Sequence, residues 1–283
     1  MGLRINQNIA AMNSYRNLSV TEGQMSKSLE KLSSGFRINR AADDAAGLAI
    51  SEGLRSQVGG LKVAVRNAQD GISVVQTAEG ALTEVHSILQ RLRDLAVQGA
   101  NDSNNSEART NIKTEADALV GELDRIGNST NFNGAMLLSG DVDGAGAGTG
   151  TTLTFQVGAD GDANSAITVD LASADVVGLV AAADFVVDTH ANAQTTLGKI
   201  DTAIEKISTA RADLGAVQNR FEHTINNLNV AVENLSASES RIRDTDMASE
   251  MVNFTRAQIL SQAGTAMLAQ ANQAPQGVLR LLQ

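Results

Sequence analysis

SEGLRSQVGGLKVAVRNAQDGISVVQTAEGALTEVHSILQRLRDLAVQ, residues 51–98, repeats its apolar side chains by sevens: Leu54, Leu61, Ala68, Val75, Leu82, Leu89 and Ala96 form one unbroken row. An α-helix turns once every ~3.6 residues, so such a row keeps to one face and winds into a coiled-coil seam. A second row runs Val58, Val65, Ile72 and then changes side to Ala78, Val85, Leu92, because in step it would meet Glu79, His86 and Arg93. The spacing predicts a long helix that changes neighbours midway.

The far end of the chain repeats the design with Ile200, Ile207, Leu214, Phe221, Leu228 and Leu235. Its companion row starts at Leu197 and Ile204, is interrupted by Arg211 and Gln218, and resumes at Ile225 and Val232. At ~1.5 Å per residue both helices would measure on the order of 60 to 80 Å, and helices of that length need partners along their course. A third helix is predicted from about Glu107 to Ile126, with Ile112, Ala116, Leu119 and Leu123 on one face. The preceding NDSNNSE is a polar turn rich in capping side chains. NSTNFNGAMLL ends the helical pattern, and its Asn133-Gly134 pair, tolerant of positive φ, is a turn signal.

The middle changes composition. Alternating TLTFQV and AITVDL predict a β-hairpin. Gly144, Gly146, Gly148 and Gly150 lead from no strand into no helix, so they read as a flexible tip and not as a nucleotide loop. The termini carry weaker stripes: Ile5, Ile9, Met12, Leu18, Met25, Leu29 and Leu32 in front, Met251, Phe254, Leu268, Ala271, Val278 and Leu281 behind. A segment that buries such a stripe only against other chains folds on assembly.

Composition supports elongated helices. The 283 residues include one Pro, no Cys, no Trp and only 2% aromatics, so buried area must come from Ala, Leu, Ile and Val along narrow seams. The net charge of −10 argues against nucleic acid and against an anionic membrane surface. No run approaches the ~20 apolar residues of a membrane span, and MGLRINQNIAAMNSYRNLSV lacks the apolar core of a cleavable signal, so export would need another route. His86, His190 and His223 are far apart and no HExxH occurs, which leaves no metal site and no zinc-peptidase motif.

LSSGFRINRAADDAAGLAISEGLRSQ, residues 32–57, contains arginines, an acidic pair and glycines, as a catalytic loop might. No nucleophile accompanies Asp43 and Asp44, and adjacent carboxylates point apart, so general acid–base work is disfavoured. The alternative is a joint: Gly35 ends one helix, Asp43 or Asp44 begins the next, and Arg37 and Arg40 pair with acids of the same or a neighbouring subunit.

LRINQNIAAMNSYRNL, EKLSSGFRINRAADDAAGLAISEGLRSQ, NAQDGISVVQTAEGAL, QRLRDLAVQGAND and TNFNG in the first half, then RADLGAVQNRFEHTINNL, ASESRIRDTDMASEM and ILSQAGTAMLAQANQAPQGVLRLLQ in the second, are extended blocks in an order that resembles bacterial flagellin. The resemblance implies a mainly α fold, long antiparallel coiled-coil helices from both ends with a small β-hairpin between, in a short form without large outer domains. It implies three parts: 1–44 with 239–283 in the inner filament tube, 45–140 with 190–238 in the outer tube, and a small variable region at 141–189. It implies a secreted, extracellular structural subunit of the flagellar filament that polymerises with itself for motility, uses no cofactor and catalyses nothing. Unfolded export through the flagellar type III apparatus is implied too.

Further partners follow from the same resemblance: an export chaperone on roughly Ile242 to Gln283, filament cap and hook-associated proteins, and the flagellin-sensing Toll-like receptor of animals. For the receptor, Arg91 and Leu95, one turn apart, match the family together with Glu115 on the next helix. Met247, Met251 and Met267 suit either a chaperone-binding face or simple packing. A hook-filament junction protein shares the terminal design, and a coiled-coil adhesin or intracellular scaffold fits the heptads alone.

Overall fold

A computed structural model of the chain describes residues 7–139, 152–177, 179 and 185–281, the last eight of these (274–281) for their backbone only. The elements are α1 (Ile9–Ser34), α2 (Ala45–Gly99), α3 (Ser106–Ser129), β1 (Asn131–Phe132), β2 (Ala135–Met136), β3 (Thr152–Gln156), β4 (Ala166–Asp170), α4 (His190–Arg243) and α5 (Met247–Leu281). They form two compact units, Gly59–Val232 and Met1–Val58 with Glu233–Gln283, and α2 and α4 run through both boundaries.

The first unit has a continuous apolar core. On α2 the predicted row is buried from Ala68 through Ala96. The change of side resolves into a row the larger residues hid: Ala64, Gly71, Ala78, Val85, Leu92 and Gly99 recur by sevens, and all are buried. On α4, Ile200, Ile207, Leu214 and Phe221 are fully buried as expected, whereas Leu228 and Leu235 are only partly so. The buried companion row is Thr196, Ala203 and Ala210, continued by the partly buried Val217, in place of the expected Leu197 and Ile204, which are only partly buried. Small side chains take the close-contact positions because they let backbones approach, and this displaces the larger neighbours toward the rim.

Phe221 illustrates the approach. Its ring sits against Gly71, where an added Cβ would lie 2.6 Å from Cζ, and it meets the Phe155 ring edge-on at 5.6 Å between centroids. Phe155 belongs to the predicted hairpin, β3 antiparallel to β4 with Phe155 opposite Ile167 and Leu153 opposite Val169. Asn67 Nδ2 donates to Gln156 O at 3.0 Å and ties the hairpin to α2. The glycine tip at 144–150 lies outside the described residues.

α3 starts where the polar turn predicts, Asn105 Oδ1 accepting the Ala108 N–H at 2.8 Å. Its buried face is Ile112, Ala116, Val120, Leu123 and Gly127, with Leu119 at the rim instead of inside. β1 and β2 close through Asn133 and Gly134 at φ 51° and 88°, the left-handed pair that a two-residue hairpin turn requires. The Arg109 guanidinium, little exposed, donates to the carbonyls of Val187 and Asp188 at 3.1 and 2.8 Å and anchors the segment that leads into α4.

The second unit packs α1 antiparallel to α5. The inward residues of α1 are Ala11, Ser14, Leu18, Thr21, Met25, Ser28 and Leu32, a strict heptad pattern of mostly small or polar side chains. On α5 they are Phe254, Ala257, Ser261, Gly264, Leu268 and Ala271. The terminal stripes therefore differ from expectation. Leu18, Met25 and Leu32 face inward, but Ile9, Met12 and Leu29 are exposed, Met12 by 67%, and so is Met251. Ile5 lies outside the described residues, as do the side chains of Val278 and Leu281.

Candidate functional site

The joint is built from both ends of the chain. Gly35, at φ 76°, caps α1 in the left-handed conformation and donates its N–H to Lys31 O at 2.9 Å. The next residues pair with the break between α4 and α5: Phe36 bridges Asp244 antiparallel, Arg37 N donates to Arg243 O at 2.6 Å, and Thr245 N donates to Gly35 O at 2.9 Å. The Arg37 guanidinium adds a bond to Ile242 O at 2.7 Å. Arg243 stacks 4.7 Å from the centre of the Phe36 ring and pairs with Glu52 at 2.6 Å. This strap, Phe36 with Arg243 and Glu52, is invisible in the sequence because its halves lie some 205 residues apart.

The acidic pair divides its work. Asp44 caps α2, its Oδ1 accepting Gly47 N at 2.9 Å. Asp43 instead holds the loop, its Oδ2 accepting the N–H groups of Arg40 and Asn39 at 3.0 and 3.2 Å. Those two N–H groups, Arg40 first, draw its pKa below the ordinary carboxylate value by stabilising the ionised form. Two carboxylates with separate backbone donors do not share a proton, so nothing here resembles an acid–base dyad. Arg40 pairs with Glu30 of the same chain at 2.9 Å while 72% of its side chain stays exposed. Asp246 caps α5 through Ala248 N and Ser249 N at 3.0 and 3.3 Å, a start that the DTDM sequence signals legibly.

Of the three family-matched receptor positions, two come together. Arg91 Nε and Nη2 donate to Glu115 Oε1 at 2.9 and 2.6 Å, and both side chains are about half exposed. Leu95 is 1% exposed and belongs to the core of its unit. Arg93, which in the sequence marks only a break in the second row, pairs with Asp201 at 2.7 Å on α4, and that hydrogen bond raises its pKa. Among the described residues no cluster of His, Asp or Glu has metal-binding geometry, and no helix is long and apolar enough to cross a membrane.

The feature that sets this molecule apart is the outside of the terminal pair. On α1 Ile9, Met12, Tyr15, Val20 and Leu29 are exposed; on α5 Met247, Met251, Val252, Ile259, Leu260 and Met267 are. Met251, Val252, Thr255, Arg256, Ile259 and Leu260 line a shallow groove. Single exposed hydrophobes are ordinary, but apolar rows on both helices around a seam in which Ser, Thr, Ala and Gly are the majority are not. Leu18, Met25, Leu32, Phe254 and Leu268 face inward, but as many large apolar side chains again face away from the one partner the chain itself supplies.

Straps between both ends and apolar surface turned outward are the features of an assembly subunit. The chain belongs to the bacterial flagellin family: the model of the bacterial flagellin N-terminal helical region matches residues 5–143 and that of the C-terminal helical region residues 197–282. It is 52% identical over 281 residues to flagellin of Halalkalibacterium halodurans, covering 99% of both chains. It is 50% identical over 304 residues to flagellin of Bacillus subtilis, covering 99% of this chain and 100% of that one. It is 48% identical over 284 residues to flagellin FlaB2 of Treponema pallidum, covering 99% of each. Matching flagellins of this length end to end, it is a short form without a large outer domain. Flagellins are structural subunits that polymerise into the extracellular flagellar filament, and the family is not enzymatic. A junction protein is not favoured by this full-length identity.

Proposed function

We propose that this flagellin builds a filament for swimming motility and that its monomer is recognised by the flagellin-sensing Toll-like receptor of animals. The outward apolar rows of α1 and α5 carry the first part, since each copy would cover a neighbour's rows. In this reading 1–44 with 239–283 line the inner tube, 45–140 with 190–238 form the outer tube, and 141–189 lies peripherally. An extended subunit that meets copies through different surfaces makes contacts that do not close, and so grows a helical polymer. Seeding the purified protein and imaging it by negative stain tests this: filaments of uniform diameter are expected, and their absence under all seeding conditions overturns it.

The Ile242 to Gln283 segment is the proposed site of an export chaperone, which would cover Met251 and Met267 until assembly. Filament cap and hook-associated proteins would meet the same terminal surfaces at the ends of the polymer. Arg40 is proposed to meet a neighbour, since most of its side chain remains exposed beside Glu30. Arg40→Glu should weaken assembly more than it lowers the unfolding temperature; equal loss of both would make the joint purely intramolecular.

Receptor recognition rests on the exposed Arg91–Glu115 pair. Arg91→Ala is expected to reduce a reporter-cell response at least tenfold with the circular dichroism spectrum unchanged, and a full response would refute the reading. Leu95→Ala is a poor test alone: truncating so buried a leucine costs about 2 to 5 kcal/mol of stability, and its silence would be ambiguous.

A further inference from the structure

α5 contains Pro275, the only proline of the chain. Proline has no N–H, so the carbonyl four residues earlier, that of Ala271, is left without its helical donor. A main-chain acceptor stripped of its partner is satisfied from elsewhere or is costly to cover. That oxygen receives Asn8 Nδ2 at 2.8 Å, a bond between residues 263 apart in sequence. At the same time Asn8 Oδ1 accepts Ala11 N at 3.0 Å and caps α1. Both ends of one short amide are used, and their partners fix its orientation, since exchanging O and N would set carbonyl against carbonyl.

The strap at Gly35 and Thr245 fixes the seam between α1 and α5 at one end, and the Asn8 bond supplies a fixed point at the other. The seam's inward residues are mostly Ala, Ser, Thr and Gly repeated by sevens, so a slip of one heptad would exchange one set of small contacts for a similar set. One polar pairing available at a single place penalises every other alignment. We infer that Asn8 and the Ala271 carbonyl freed by Pro275 form a register pin that fixes α1 against α5, and so aligns their outward apolar rows into one assembly surface. Asn8 is thus a positioning residue, acting through the helix it holds. An aspartate would supply the cap without the donor, and a serine is too short to cap one helix and reach the other.

The chain has no cysteine, so an introduced pair reports register cleanly. A Cβ at Gly264 would lie 3.8 Å from Leu18 Cβ, the spacing of a relaxed disulfide. Filaments of Leu18→Cys/Gly264→Cys protein, assembled under reducing conditions and then oxidised, are expected to form the bond within each chain, read on a non-reducing gel. Asn8→Ser should slow that bond at least fivefold in the native background and less than twofold in a Pro275→Ala chain, where Ala271 O regains a helical N–H. If Asn8→Ser prevents assembly, filaments should return on adding Pro275→Ala. An equal effect of Asn8→Ser in both backgrounds, as a mere helix cap would give, overturns the pin. So do an unchanged rate, a failed rescue, or disulfides between chains instead of within them.

Discussion

A chain carrying Ile259→Ser and Leu260→Ser should stay in the supernatant at concentrations where the unaltered protein pellets as filaments. Both side chains are at least half exposed in the subunit, so replacing them removes little or no buried area from it. Surface substitutions of this kind usually change stability by no more than about 0.5 kcal/mol. In a polymer the same side chains would be covered by a neighbour, and covering one large aliphatic side chain fully is worth about 1.5 to 3 kcal/mol. Half that gain for each of two residues amounts to roughly 1.5 to 3 kcal/mol per subunit, or a critical concentration raised on the order of 10- to 100-fold. Sedimentation over a concentration series measures it, with thermal unfolding as the control. Filaments at the unaltered critical concentration would mean that this face of α5 is not covered by a copy.

Phe221→Ala should have the largest effect on folding. The ring is fully buried against Gly71 and edge-on to Phe155, so its loss removes transfer free energy and leaves a cavity between that glycine and that ring. Truncations of buried Phe cost about 3 to 5 kcal/mol. In a unit of this size that corresponds to a fall in Tm of about 10 °C. Hydrogen exchange in β3 and β4 should accelerate with it, because Phe155 loses the surface that seats the hairpin. Gly71→Ala should destabilise by the opposite route, overpacking, at about 1 to 3 kcal/mol. Adding Phe221→Leu to Gly71→Ala should then cost less than the sum of the two changes, since both act on one contact. Additive losses would mean that the ring and the glycine do not share a site.

How much of this was legible in the sequence depended on side-chain size. Rows of Leu, Ile and Val by sevens located α2 and α4, and alternation in TLTFQV and AITVDL located the two strands of the hairpin, though not their register. Asn133-Gly134 and Gly35 announced their turns because positive φ is chemically restrictive. What failed was phase wherever a seam is lined by small residues. Ala64 and Gly71 on α2, and Ala203 and Ala210 on α4, occupy the closest contacts, while Leu197 and Ile204, the more conspicuous hydrophobes, sit at the rim. On α1 the inversion is stronger: Ser14, Thr21 and Ser28 face α5, and Ile9, Met12 and Leu29 face out. A rule that sends large apolar residues inward presumes one chain, and these helices are patterned for several. The strap of Arg243 on Phe36 and Glu52 escaped for another reason, since no periodicity reports contacts between distant segments.

The pairing of Phe36 with Asp244, and of Asn8 with Ala271, also orders events in time. Closing a flexible loop of 263 residues costs on the order of 5 kcal/mol in chain entropy, more than a few backbone bonds return. Seating Phe221 on Gly71 meets most of that cost first, by drawing the middle of the chain together and leaving two short arms to find one another. The terminal pair is therefore expected to form last, with amide protection in α1 and α5 appearing after that in β3 and β4. A chain cut back before Ala271 would leave Asn8 and the inward face of α1 without their partner, so loss of the chain's end is expected to be read out as failure to join the polymer, which sedimentation of the truncated protein measures.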